Sequence, residues 1–207
     1  ISWMIRTNRT TLKVNPCMQK SGTRENAESK RDRYVTNEEY QAVYEAAGTQ
    51  VRVLMELTYR TLQRPESDLI YWTPKVLGRD PHTGQRIITF EQGKTKTRLK
   101  IAMTENLERL IDRVTGAKPR MDQPLIHTRD DESYTYSGIT SMLGKAINKV
   151  NKEREKRGLD KIPSFGFRDL KGKGATDMWL SGTPIEQIQL LCGHSDKATT
   201  ERYIKAR

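Results

Sequence analysis

Only one stretch of this chain, residues 84–102, has the residue pattern of β structure; almost everything else after Tyr34 is punctuated by helix starts and stops. Gly84-Gln85-Arg86-Ile87-Ile88-Thr89-Phe90 and Arg98-Leu99-Lys100-Ile101-Ala102 are rich in β-branched and apolar residues. They flank Gly93-Lys94-Thr95-Lys96, which predicts a hairpin with lysines at its tip. Thr36 followed by Glu39 forms a capping box, and Tyr40, Val43 and Tyr44 continue at helical spacing. A second helix from about Thr49 carries Val51, Leu54, Met55 and Leu57. It breaks at Thr61-Leu62-Gln63-Arg64-Pro65, because proline disfavours the helical conformation in the residue before it. A short helix from Glu66 to Tyr71 is expected next, then one opening at Thr104, a long one from Tyr136 to about Lys156 and another over Leu170 to Leu180. Thr183-Pro184 supplies a cap and a first helical position for a helix carrying Ile185, Ile188 and Leu191, which Gly193 stops. A last short helix is expected to hold Tyr203. The fold class is therefore mainly α with a small antiparallel β-sheet (α+β).

The 207 residues divide by composition into a basic linker over 1–34 and a main domain over 35–207. Ile1 to about Arg9 reads as the end of a helix, Asn15-Pro16 breaks it, and the chain to Arg33 reads as extended connector. That segment holds eight Lys or Arg against three acids, and the whole chain carries a formal charge of +11. Such a field favours polyanions, because neutralised phosphates release their condensed counterions. No stretch is long and apolar enough to span a bilayer, and Ile1-Ser2-Trp3-Met4-Ile5-Arg6 lacks a signal-peptide pattern. The absence of an initiating methionine reads as a fragment. Cys17 and Cys192 stand too far apart in sequence to indicate a disulfide framework or a zinc site, so a reducing cytoplasm fits best. His82 and His127 are isolated, and neither a glycine-rich phosphate loop nor carboxylates at metal spacing occur; no cofactor is expected.

The most specific segment is Leu190-Leu191-Cys192-Gly193-His194, followed by Thr199-Thr200 and Tyr203. It closely resembles the Leu-Leu-Gly-His, Thr-Thr and Tyr signature of the tyrosine recombinases, the phage-integrase family, including the nine-residue step from His194 to Tyr203. The resemblance implies that Tyr203 attacks the scissile phosphate to form a 3′-phosphotyrosine bond and that His194 contacts the same phosphate. Chemistry of that kind needs a phenolate-like nucleophile and cations around the developing phosphorane charge. A lone Gly-His pair would be an ordinary helix stop; the whole segment with its spacing carries the resemblance.

Three further segments match less tightly. Thr61-Leu62-Gln63-Arg64-Pro65-Glu66-Ser67-Asp68-Leu69 is similar to the family's first arginine box, in which Arg64 would grip two nonbridging phosphate oxygens and Asp68 or Glu66 would buttress the site. The hairpin tip is similar to the family's lysine segment. Lys94, with Lys96 as second choice, would protonate the 5′-hydroxyl leaving group. The fourth box departs from the family's His-x-x-Arg. Aligning Ala175-Thr176 places Arg168 at the histidine position and Lys171 at the second arginine position. An alternative, with Phe165 and Arg168 at those positions, needs three extra residues before Ala175. Arginine at the histidine position keeps positive charge but cannot accept a proton at neutral pH, and lysine for arginine loses the bidentate fork.

The resemblance covers residues 35–207 and implies a site-specific DNA recombinase or integrase of a phage or mobile element. It implies double-stranded DNA as partner, a homotetramer on DNA in the intact parent, and neither a small-molecule substrate nor a membrane. It needs no metal or nucleotide, because the phosphotyrosine conserves bond energy between cutting and joining. The altered fourth box predicts normal DNA binding with slow cleavage. A related type IB topoisomerase-like strand transferase and a non-catalytic DNA-binding module remain as alternatives.

Overall fold

A computed structural model describes residues 2–13, 15, 33–93, 95–116 and 118–204. The chain forms two compact units, 1–32 and 33–207. In the first, α1 (Ser2–Arg6) is a short helix with no buried residue, and the Arg9 guanidinium lies 4.9 Å from the Trp3 ring centroid. Most of the expected basic connector, residues 16–32, lies outside the described residues.

The second unit opens with the expected capping box. Thr36 Oγ1 accepts from the Glu39 N–H at 3.2 Å, and Glu39 Oε2 accepts from the Thr36 N–H at 2.9 Å, starting α2 (Asn37–Ala46). The central helix is α3 (Thr49–Thr61). Val51, Val53, Leu54, Met55 and Leu57 are all buried, so apolar groups surround much of its circumference. It ends at Leu62, which adopts a left-handed conformation (φ 56°) although it is fully buried and not glycine. That geometry costs about 1–2 kcal/mol in a residue bearing Cβ. Packing of the Leu62 side chain with Ala175, Ile188 and Cys192 offsets it.

Where a helix was expected over 66–71, the chain makes a turn and then a single 3-10 turn, Leu69–Tyr71; a second such turn covers Pro74–Val76. The sheet has three strands, not two. β1 (Leu77–Arg79), β2 (Arg86–Glu91) and β3 (Arg98–Ala102) pair antiparallel in that order, with Leu77 opposite Ile88 and Phe90 opposite Leu99. β1 is three residues long and contains Gly78, so it has no alternation to read; pairing with β2 makes it a strand. Ile88 and Phe90 face the core, where Phe90 meets Trp72 at a ring separation of 4.7 Å.

Helices α4 (Glu105–Thr115) and α5 (Tyr136–Lys156) start at Thr104 and Thr135, whose hydroxyls accept from the N–H three residues on. Next come α6 (Phe167–Leu180), α7 (Ile185–Cys192) and α8 (Lys197–Glu201). α6 begins three residues before Leu170, and α7 one residue later than expected, with Pro184 at the cap position. Gly174 lets α6 run hard against α3. A Cβ there would fall well inside contact with the Tyr59 carbonyl and 2.8 Å from Leu62 Cδ2. Tyr203 lies beyond the last helix, not in it. No helix among the described residues is long and apolar enough to cross a membrane.

Candidate active site

The carboxy end of α7 organises the site. A helix leaves its last carbonyls without intrahelical partners, and here side chains from three other segments take them up. Gln92, just past β2, donates from Nε2 to the Leu190 and Leu191 carbonyls at 3.0 and 2.8 Å. Gln63, just past α3, donates to the Leu191 carbonyl at 2.7 Å, and Lys171 of α6 donates to the Cys192 carbonyl at 3.1 Å. Gly193 follows in the left-handed region (φ 67°), and a Cβ on it would press the Gln92 amide at 3.3 Å. The first arginine segment, the hairpin and α6 are thus fastened to the turn that carries His194. Gln63 and Gln92 were not singled out from sequence. Their only signal is that each lies within a matched segment, next to Arg64 and to Gly93.

These segments surround a cleft of about 270 Å³ lined by Arg64, Ser67, Asp68, Gly93, Thr95, Lys171 and Gly193, with Gln63, Gln92 and Cys192 in its walls. Arg64 is half-buried on the cleft, brought there by the Leu62 turn. Of the two candidate acids Asp68 lines the cleft, accepting from Ser67 Oγ at 2.8 Å, whereas Glu66 is exposed and does not. Lys94 lies outside the described residues, although its neighbours Gly93 and Thr95 line the cleft. Lys96, the second choice, is exposed with its amine 3.9 Å from Glu91.

Lys171 is buried in the cleft wall, only 3% exposed. Burial pushes its pKa down, and the like charge of Arg64 adds to that. The charges of Asp68 and Glu66 pull the other way, as does Cys192. The Cys192 thiol is driven up to about 11 by burial, against the opposing pull of Lys171 and Arg64, so it is protonated at neutral pH. Arg168 is exposed on the first turn of α6 and does not line the cleft. Among the described residues no hydrogen bond or ion pair holds its guanidinium.

His194 and Tyr203 meet beyond the cleft lining, on the far side of Gly193 and Lys171. The His194 ring shares a 3.1 Å hydrogen bond between Nδ1 and Thr200 Oγ1, and its centroid is 5.0 Å from that of Tyr203. The Tyr203 ring is half-buried, with Lys171 Nζ 5.5 Å from its centroid. Its backbone is held as well: the N–H donates to the Thr200 carbonyl at 2.9 Å, and the carbonyl accepts from Thr176 Oγ1 at 3.4 Å. The structure therefore brings Lys171 beside Arg64 in the cleft and beside Tyr203, which packs near His194; Arg168 is exposed and shares none of these contacts. Among the described residues no group of three or more His, Cys, Asp or Glu side chains is placed to hold a metal ion.

A sequence profile of the phage integrase family matches residues 33–207. No curated protein matches the chain in sequence. Among solved structures, a lambda integrase dimer bound to a COC′ core site superposes with a TM-score of 0.66 at 18% identity. That match covers 99% of this chain and 56% of the other. The Tn1549 transposon integrase in complex with circular intermediate DNA gives 0.68 at 17%, over 100% of this chain and 71% of that one. XerA recombinase gives 0.59 at 18%, over 84% and 59%. At these identities the likeness is one of fold, and this chain spans little more than half of the lambda integrase chain. The profile match over most of the length, on a helical domain with a small antiparallel sheet, places the chain in the phage integrase family, the tyrosine recombinases.

Proposed function

We propose that this chain is the catalytic domain of a site-specific DNA recombinase that cuts and rejoins double-stranded DNA through a 3′-phosphotyrosine. The Tyr203 phenol releases its proton to water as its oxygen attacks phosphorus, the P–O5′ bond breaks, and the departing 5′-oxygen takes a proton from Lys94. Attack by a 5′-hydroxyl reverses the step. Arg64, Lys171 and His194 hold the nonbridging oxygens as charge builds on them, and Asp68 steadies the cations. Arg168, exposed outside the cleft, adds only to the general positive field that draws DNA.

The observation that carries this reading is the place of Lys171, which lines one cleft with Arg64 and the hairpin tip and lies 5.5 Å from the Tyr203 ring, itself 5.0 Å from that of His194. The net charge of +11 suits a duplex partner. Residues 1–34 serve as a basic linker toward a further DNA-clamping domain, residues 35–207 hold the chemistry, and the intact parent works as a tetramer on DNA. Incubation with a nicked suicide substrate tests the reading. A covalent protein–DNA adduct that disappears in Tyr203→Phe is expected, and an adduct that persists in that variant overturns the assignment.

The second reading is a DNA-binding domain with weak or no cleavage. It is favoured by Arg168 standing outside the cleft and by a lysine in place of the forked arginine. No adduct, together with DNA affinity that falls steeply with salt, is the outcome that selects it.

A further inference from the structure

We infer that Gln92 is a positioning residue: its amide registers the β2–β3 hairpin against the turn carrying His194, so that the leaving-group acid and the phosphate-binding groups address one phosphate. The inference rests on the proposed strand-cleavage role of this site.

A glutamine only 3% exposed must have its polar atoms satisfied, and Gln92 does so in two directions. Toward the hairpin, Oε1 accepts from Thr95 Oγ1 at 2.6 Å, its N–H donates to the Thr97 carbonyl, and its carbonyl accepts from the Lys96 N–H. Toward α7, Nε2 donates to the Leu190 and Leu191 carbonyls. Glycine at 193 is what lets the turn backbone press against the amide. Among the described tip residues 92, 93, 95 and 96, only Gln92 is buried. The side chain therefore ties an otherwise solvent-facing tip to the helix end whose next residues are Gly193 and His194. Loss of that tie lets the tip shift relative to the phosphate site, and a displacement of about 1 Å costs on the order of 100-fold in rate.

The test compares adduct formation by the unsubstituted chain, Gln92→Met and Lys94→Ala on two nicked substrates. One has the ordinary bridging 5′-oxygen at the scissile phosphate; the other has sulfur there, a leaving group that needs no proton. If Gln92 acts through the hairpin, Gln92→Met slows the oxygen substrate roughly 10- to 100-fold and the sulfur substrate by less than about threefold, as Lys94→Ala does. Equal slowing on both substrates, or none on either, overturns the inference. A Lys94→Ala variant that sulfur does not rescue overturns instead the acid role given to Lys94.

Amide hydrogen exchange reads the same coupling without catalysis. Gln92→Met is expected to speed exchange of the Lys96 and His194 amides together, about tenfold. Faster exchange at Lys96 alone counts against the tie.

Discussion

Helix α6 carries two buried lysines two residues apart, and their surroundings differ. Positions two apart on a helix point about 200° away from each other, so Lys171 faces the cleft and Lys173 the opposite side. Lys173 is 2% exposed and fully partnered. Its amine bonds Asp177 Oδ2 at 2.9 Å, the Tyr34 hydroxyl at 3.1 Å and Asn37 Oδ1. Tyr59 donates to the same carboxylate at 2.9 Å. Burial, reinforced by Asp177, holds the Tyr34 and Tyr59 phenols protonated well above their ordinary range. Lys171 is equally buried, yet it has one backbone carbonyl, the face of an aromatic ring, and a second cation beside the same cleft. A buried ammonium matched by a carboxylate holds a fold together. One whose described partner is a single carbonyl, next to Arg64, has donors to spare for the anion we propose it binds.

The comparison is broken most directly by removing each amine. Lys173→Met leaves the half-buried Asp177 carboxylate without its ammonium, held only by the Tyr34 and Tyr59 hydroxyls, and is expected to cost about 3 kcal/mol of stability. Lys171→Met, which removes a cation that burial disfavours, is expected to cost no stability in urea unfolding and to leave the variant the more stable chain at neutral pH; similar losses in both would erase the distinction. The same Lys171→Met is expected to lower adduct formation about 100-fold, near 2.7 kcal/mol, through loss of charge stabilisation at the phosphate. Gly174→Ala drives a methyl into the α3–α6 seam and is expected to cost about 1–3 kcal/mol. Unlike either lysine variant, it should depress stability and cleavage together. Lys171→Arg restores a two-pronged contact, with a gain of roughly tenfold in cleavage, about 1.4 kcal/mol. An unchanged rate would show that the lysine is no handicap.

The smallest effect is in pH. Because the folded-state pKa of Lys171 lies below 10.5, the unfolded chain binds more protons between the two values, and stability rises with pH across that window. The stability difference between Lys171→Met and the unsubstituted chain should therefore shrink as pH climbs toward 10.5. A difference that widens reverses the sign of the argument.

Legibility followed the range of the interactions. The Thr36–Glu39 box, the α5 span and the Gly193 stop were readable because the bonds that make them connect residues close in sequence. Arg64, His194 and Tyr203 were singled out only through resemblance to the family's boxes, not from any local bond. β1 was missed because three residues including Gly78 become a strand only by pairing with β2. The helix expected over 66–71 failed because Pro65 and the left-handed Leu62 redirect the chain into turns. Nothing local marks Leu62 for that conformation; burial against Ala175, Ile188 and Cys192 selects it.

The sequence by itself determined the fold class, the family and which residue types stand at each matched box, since these depend on local signals and on chemistry written in fixed order. Tertiary structure alone decided which charges face the cleft. It placed Asp68 on the cleft in preference to Glu66, left Arg168 outside it, and brought Tyr34 and Asn37 to Lys173 while giving Lys171, among the described residues, a single backbone carbonyl. It also decided that Gln63, Gln92 and Lys171 would meet at the end of α7. The physical reason is common to all of these: whether a polar group serves structure or chemistry depends on which partners reach it across the fold, and those partners lie as far as 139 residues away.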